Sequence, residues 1–246
     1  MRLETRQITY SDGDARLNGV LAIDADRIDK RPGVLVVHGG AGLDDHARGR
    51  ARRFAQAGFV VFACDMYGEG VMGHRERIIR HIGELRSNRA ALVRRVQPAI
   101  EILSSRPEVD RCLAAVGYCF GGMVVLEYAR SGAAISGVVS VHGTLDTASP
   151  VEPSSIRARI LVCHGARDPH VPMSQVTAFA DEMQNAGADY QLIVYGQAMH
   201  GFTHEAATGA QPGVLYDPQA DAWSSVAIQR FLTELGGDVR AGAFTN

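Results

Sequence analysis

Gly117-Tyr118-Cys119-Phe120-Gly121-Gly122 stands between a short apolar run at 113–117 (LAAVG) and an amphipathic segment at 120–130. The run reads as a buried strand and the segment as a helix, so the six residues form a strand-to-helix turn with a cysteine at its apex. Such a turn lifts its apex side chain above the sheet, and the positions two before and two after it must be almost free of side chain. Gly117 and Gly121 meet that demand, and Gly122 lets the helix approach the sheet closely.

The same strand-then-helix unit recurs on both sides of this turn. Upstream, 33–37 (GVLVV) and 59–63 (FVVFA) are continuous apolar runs of the kind buried on both faces of a parallel sheet. A helix capped by Asp44 or Asp45 separates them, and an arginine-rich helical stretch over 75–103, interrupted near Gly83 and Pro98, follows. Downstream come strands at 137–141, 160–163 and 191–195, with a helix at 173–186. A last helix runs over 217–235, with Asp217 as cap and Pro218 in its first turn. Two alternating segments, 6–10 and 16–23, flank Ser11-Asp12-Gly13-Asp14 and read as a hairpin. The class is therefore α/β: a mostly parallel twisted sheet with helices on both faces and an antiparallel N-terminal edge. No repeat or linker divides the 246 residues, so one domain over 1–246 is expected, with a loose tail at 236–246.

Composition narrows the function. A formal net charge of −2 lacks the basic excess that nucleic acid binding needs, so no nucleic acid partner is expected. No apolar stretch is long enough to span a membrane, and the N-terminus lacks a secretory signal pattern. The four cysteines, at 64, 112, 119 and 163, make no CxxC or zinc spacing and read as reduced thiols of a cytoplasmic protein. Cys64, Cys112 and Cys163 read as core. Lys30 is the sole lysine, so any anion site here uses guanidinium.

Sites in open α/β sheets gather at the carboxyl ends of the strands. Cys119 would sit at a helix N-terminus, which favours its thiolate, with the Phe120 N–H beside it for an oxyanion. After the first buried run, His38-Gly39-Gly40 brings small residues whose N–H groups, at Gly40 or Ala41, supply the second oxyanion donor. Asp168 and His200 follow in the chain order nucleophile, acid, histidine, each just past a strand. His200 would hold the Cys119 proton and later activate water, and Asp168 would fix the imidazole tautomer. Asp146 and His204 are the rivals for these two roles. His38, His142 and His164 each end a strand before glycine and read as loop-orienting groups; no metal is expected. Tyr67, Tyr118, Met123, Phe202 and Trp223 are candidates to line an apolar pocket, and Arg75 and Arg77 to hold a substrate carboxylate.

The sequence resembles the dienelactone hydrolases over roughly residues 17–235. The resemblance rests on VLVVHGGAGLDDH (34–46), the turn GYCFGG (117–122), VHGTLD (141–146), CHGARDPHVP (163–172) and VYGQAMHGFT (194–203). It implies an α/β-hydrolase fold, no cofactor, and hydrolysis of a lactone or carboxylic ester through Cys119, Asp168 and His200. Two departures stand out. Well-studied members carry a glutamate after the first-strand turn, where this chain has Gly39, and an arginine shortly after the catalytic histidine, where this chain reads Gly201-Phe202-Thr203-His204. They keep the reaction class and remove the family's named lactone from the expectation. The expected partner is a small ester or lactone, with or without a carboxylate, met by a monomer or homodimer. The alternatives are a sensing protein on a hydrolase scaffold and an acyltransferase or thioesterase using the same nucleophile.

Overall fold

The structure, a computed structural model, describes residues 1–237 except 150 and 153. In chain order the elements are β1 (Leu3–Asp12), β2 (Ala15–Asp24), β3 (Arg31–Val37), α1 (Asp45–Gln56) and β4 (Val60–Cys64), then α2 (Arg75–Ser87), α3 (Arg89–Ser104), β5 (Val109–Tyr118) and α4 (Phe120–Arg130). They continue with β6 (Gly137–Val141), β7 (Arg159–Gly165), α5 (Met173–Ala186), β8 (Tyr190–Tyr195) and α6 (Pro218–Leu235). The strands form one sheet in the order β1-β2-β4-β3-β5-β6-β7-β8. From β4 to β8 every pairing is parallel, while β1 on β2 and β2 on β4 are antiparallel, so the expected N-terminal edge is present.

Strand alternation divides the apolar residues between two cores, one on each face. Leu35 and Val37 of β3 face the layer containing α3, α4 and α5, where Leu92, Val124 and Phe179 lie buried. Val34 and Val36 face α1 and α6, against Ala51, Phe54, Ile228 and Phe231. Both faces are covered, which is why the central strands read as unbroken apolar runs. Cys64 and Cys163 are fully buried in these cores and Cys112 is half-buried. Burial pushes the Cys163 thiol up to about 12, so it stays protonated.

One boundary differs from expectation. The helical stretch after β4 breaks at Asn88, not near Gly83 or Pro98. The Asn88 side chain accepts from the Ala91 N–H at 3.0 Å while its own N–H closes on the Leu85 carbonyl at 3.4 Å. One residue thus ends α2 and caps α3. Gly83 remains inside α2, and Pro98 is carried within α3. Of the expected tail, Gly236 and Gly237 form a turn after α6, and 238–246 lie outside the described residues.

Candidate active site

The C-terminal ends of β3, β5, β6, β7 and β8 converge on Cys119. This residue leaves β5 at φ 54° and ψ −114°, a backbone conformation that non-glycine side chains rarely adopt. The strain is held by hydrogen bonds. The Cys119 N–H donates to the Val141 carbonyl at 3.0 Å and to His142 Nδ1 at 3.2 Å. Cys119 Sγ lies 3.1 Å from His200 Nε2, and His200 Nδ1 lies 2.8 Å from Asp168 Oδ2. The other Asp168 oxygen accepts from the His170 and Val171 N–H groups at 2.8 and 3.1 Å, so the carboxylate is fixed from the turn after β7. Neither rival takes a place in this line: Asp146 pairs with Arg86 at the surface, 3.0 Å away, and His204 pairs with Asp44.

Electrostatics favour an ion pair at rest. Burial pushes the Cys119 thiol up, but the hydrogen bond and charge of His200, with the N–H groups of Gly40 and Phe120, outweigh it and hold the thiol below its ordinary value. For His200, burial pulls the imidazole down, and hydrogen bonds to Asp168 and Cys119 overcome that and raise it to about 10. Both shifts favour a thiolate–imidazolium pair over the neutral thiol and imidazole. An ordinary cysteine loses about tenfold in thiolate for each pH unit below roughly 8.5. Alkylation of Cys119 by iodoacetamide is expected to run at pH 7 within about twofold of its pH 9 rate. A pH 7 rate below about a tenth of the pH 9 rate rules out the resting ion pair.

The surrounding histidines and one arginine hold the loops. His38 accepts from the Met66 N–H at Nε2, 3.0 Å away, and donates from Nδ1 to the Gly39 carbonyl at 2.7 Å. Tyr67 donates to the Gly40 carbonyl at 3.0 Å while stacking on Phe120, so it braces the Gly40 peptide from behind. His142 Nε2 donates to Thr203 Oγ1 at 2.9 Å. Arg50, buried against Asp221 at 2.8 Å, donates to the Thr203 carbonyl at 2.6 Å and ties α1 and α6 to the loop after His200. Among the described residues, neither ring nitrogen of the buried His164 has a partner.

A cavity of about 460 Å³ opens on Cys119. Gly39, Gly40, Ala41, Asp44 and His46 line one side, Tyr118, His142 and His200 the floor, and His204, residues 206–211 and Val214 the far wall. That far wall is a folded loop, closed by the Tyr216 N–H on the Ala207 carbonyl at 2.8 Å and the Leu215 N–H on the His200 carbonyl at 3.1 Å. Of the expected pocket residues, Tyr118 lines this cavity. Tyr67 stands behind Gly40. Met123 and Phe202 are buried in the two cores, and Trp223 is exposed on α6, stacked on Tyr195. Arg75 and Arg77 sit on the exposed side of α2, where Arg77 donates to the Gly70 carbonyl at 2.7 Å. The structure does not bring either arginine to the cavity.

Sequence reasoning missed Asp44 and His46 as cavity groups. Asp44 was legible only as a helix cap, a role it does fill by accepting from the Ala47 N–H at 3.0 Å. Asp44, His46 and His204 place one ligand atom each within 4.8 Å of one another, the set among the described residues with metal-ligand types close together. Their donors are engaged: His204 Nε2 with Asp44 Oδ2 at 3.2 Å, and His46 Nε2 with Arg50 Nε at 3.3 Å. The two imidazoles stack at 4.7 Å and 14°, so their planes run side by side and do not converge. A guanidinium already occupies the cation's place beside His46.

Comparison with known proteins bears on the family and the fold. The family model described as the dienelactone hydrolase family matches residues 17–235. A solved structure named m3DLH is 38% identical, with a TM-score of 0.88, covering 95% of this chain and 99% of its own. A dienelactone hydrolase-like promiscuous phosphotriesterase from metagenomic libraries, P91, is 37% identical, with a TM-score of 0.89 and coverage of 96% and 99%. A Bradyrhizobium protein described as a probable 2-oxo-3-(5-oxofuran-2-ylidene)propanoate lactonase is 29% identical over 80% of this chain and 82% of its own.

Proposed function

The chain belongs to the dienelactone hydrolase family and is a carboxylic ester or lactone hydrolase, and from that premise we propose that it works through an acyl-enzyme on Cys119. The observation that carries the reading is the unbroken line from Cys119 Sγ to His200 Nε2 to Asp168, at 3.1 and 2.8 Å, at the base of a cavity. The Cys119 thiolate attacks the carbonyl carbon, a C–S bond forms, and the π pair moves onto oxygen between the Gly40 and Phe120 N–H groups. The tetrahedral adduct collapses, the C–O bond breaks, and His200 Nε2 gives its proton to the leaving alkoxide. Neutral His200 then takes a proton from water as its oxygen attacks the thioester. The thiolate departs, the acid is released, and the imidazolium is restored. Asp168 keeps Nδ1 protonated throughout, so Nε2 is always the nitrogen that exchanges protons.

Thiolate leaves a tetrahedral carbon more readily than an unprotonated amine, which suits this site to esters, lactones and thioesters over amides. A second reading, attack on a neutral phosphotriester, is favoured by 37% identity to P91 over nearly the whole chain. Both readings pass through Cys119, and one experiment separates them. Mixing the protein with an aryl ester, or in a second arm an aryl phosphotriester, should release a burst of phenol equal to the protein concentration. Intact mass should show the acyl, or phosphoryl, group on Cys119. Phenol release with no burst and no adduct on Cys119 in the ester arm would rule out the acyl-enzyme. We also read 1–246 as one hydrolase domain, supported by the family match over 17–235. Among the described residues no helix is long and apolar enough to cross a membrane.

A further inference from the structure

The carbonyl substrate must fit a cavity whose charges lean one way. We propose that Asp44 and His204 form the specificity-determining pair of this hydrolase, disfavouring esters that bear a carboxylate and leaving neutral esters as its substrate class. The proposal rests on the catalytic reading above for the identity of the reacting sulfur.

Among the described residues, Asp44 is the one carboxylate lining the cavity, and no arginine or lysine lines it. Its Oδ2 lies 3.2 Å from His204 Nε2, and this hydrogen bond holds the His204 imidazole above its ordinary value. The pair therefore carries no net charge while His204 is protonated and a full negative charge once it is not. The reacting group adds to this. Thiolate, imidazolium and the Asp168 carboxylate sum to one negative charge at the base of the cavity. His46 contributes none, because burial and the neighbouring Arg50 charge pull its imidazole down to about 4.

The nearest guanidinium groups are spent. Arg50 is buried against Asp221 at 2.8 Å, and Arg53 pairs with Glu205 at 3.0 Å. The remaining wall offers small apolar surface from Ala206, Ala207, Gly209 and Ala210 and neutral polar groups from Thr208 and Gln211, with no positive charge. A substrate carboxylate entering here would lose water and meet no arginine or lysine. The two imidazoles it would meet are already paired, His200 with Asp168 and Cys119 and His204 with Asp44, so the field it faces is net negative where screening is weak. A neutral acyl chain meets none of these costs.

Two pairs of probes, each alike in the reacting group and differing by one negative charge, test this. The first is turnover of 4-nitrophenyl butyrate against mono-4-nitrophenyl glutarate, which differ by one carboxylate. The second needs no turnover: the rate of Cys119 alkylation by neutral iodoacetamide over that by anionic iodoacetate, divided by the same quotient for 2-mercaptoethanol in solution. At low salt and alkaline pH, where His204 is neutral and the pair carries its full negative charge, the neutral probe should be favoured by about tenfold or more in both assays, the scale of one unscreened like charge at close range. Asp44→Asn keeps an acceptor for the helix cap and removes the charge, and it should reduce both preferences by about threefold or more. If Cys119 discriminates between the two alkylating agents no more than 2-mercaptoethanol does, or if Asp44→Asn leaves the preference untouched, the proposal is overturned. If neither ester turns over but the alkylation preference and its loss in Asp44→Asn are seen, the charge selection stands and the hydrolytic reading falls.

Discussion

Cys119→Ala should lower kcat for an aryl ester by about 10⁴-fold or more while the protein still unfolds cooperatively. The size follows from what is removed. Without Sγ there is no nucleophile for the first bond, and His200 loses the anion that keeps it protonated. What remains is the Gly40 and Phe120 N–H pair, able to polarise a bound carbonyl for slow attack by water. The fold has little reason to change, since one sulfur atom facing a cavity is lost and the elbow keeps its hydrogen bonds from the Cys119 N–H to Val141 and His142. Cys119→Ser should fall between the two. Its hydroxyl has the same reach, but it does not ionise against an imidazolium, so the proton must move in the transition state. Initial rates beside urea melts check this, and an alanine variant keeping more than about a hundredth of wild-type kcat would remove Cys119 from the mechanism.

Gly121→Ala is expected to cost more than about 4 kcal/mol of stability, a large part of the roughly 5–15 kcal/mol that holds a domain together. A Cβ at 121 would overlap the Val37 carbonyl and crowd that of His38, both main-chain atoms where β3 ends beside β5. A flexible side chain could turn aside, but these carbonyls sit in the central pairing of the sheet. Gly117 is under the same kind of constraint, since a Cβ there would overlap the Gly121 carbonyl. Gly49, inside α1, is the control. A Cβ there meets nothing within 4 Å, and Gly49→Ala should stabilise by about 0.5–1 kcal/mol through reduced backbone entropy. Urea unfolding of the two variants checks both signs, and a Gly121→Ala protein within about 1 kcal/mol of wild type would contradict the close packing at the elbow.

The elbow was legible because its demands are local. Gly117, Cys119 and Gly121 must be spaced as they are for a strand to turn into a helix in one step, and that spacing is visible in six residues. The central strands were legible for a related reason: burial on both faces leaves an unbroken apolar run in 33–37 and 59–63. The break between α2 and α3 was misplaced because Gly83 and Pro98 are weaker signals than a side chain that caps. Asn88 satisfies backbone groups on both sides of itself, and its Oδ1 bond to Ala91 is a choice that residue type alone does not announce.

The cavity was far less legible. Arg75 and Arg77 follow β4 closely in the chain, which made them candidates for a carboxylate, yet α2 carries them to an exposed face. Trp223 has the apolar bulk of a pocket residue, yet α6 turns it outward.

By itself the sequence determined the mixed α/β class, the antiparallel N-terminal edge and the chain order of Cys119, Asp168 and His200, because strand and helix periodicity and the elbow's steric rule act over a few residues. Tertiary structure alone decided what surrounds the sulfur. Asp44 and His204 are 160 residues apart and meet only when the loop after β8 folds over the end of β3. Whether a wall carries a carboxylate, and whether any arginine reaches it, depends on that long-range packing and on partners such as Asp221 that hold Arg50 in place.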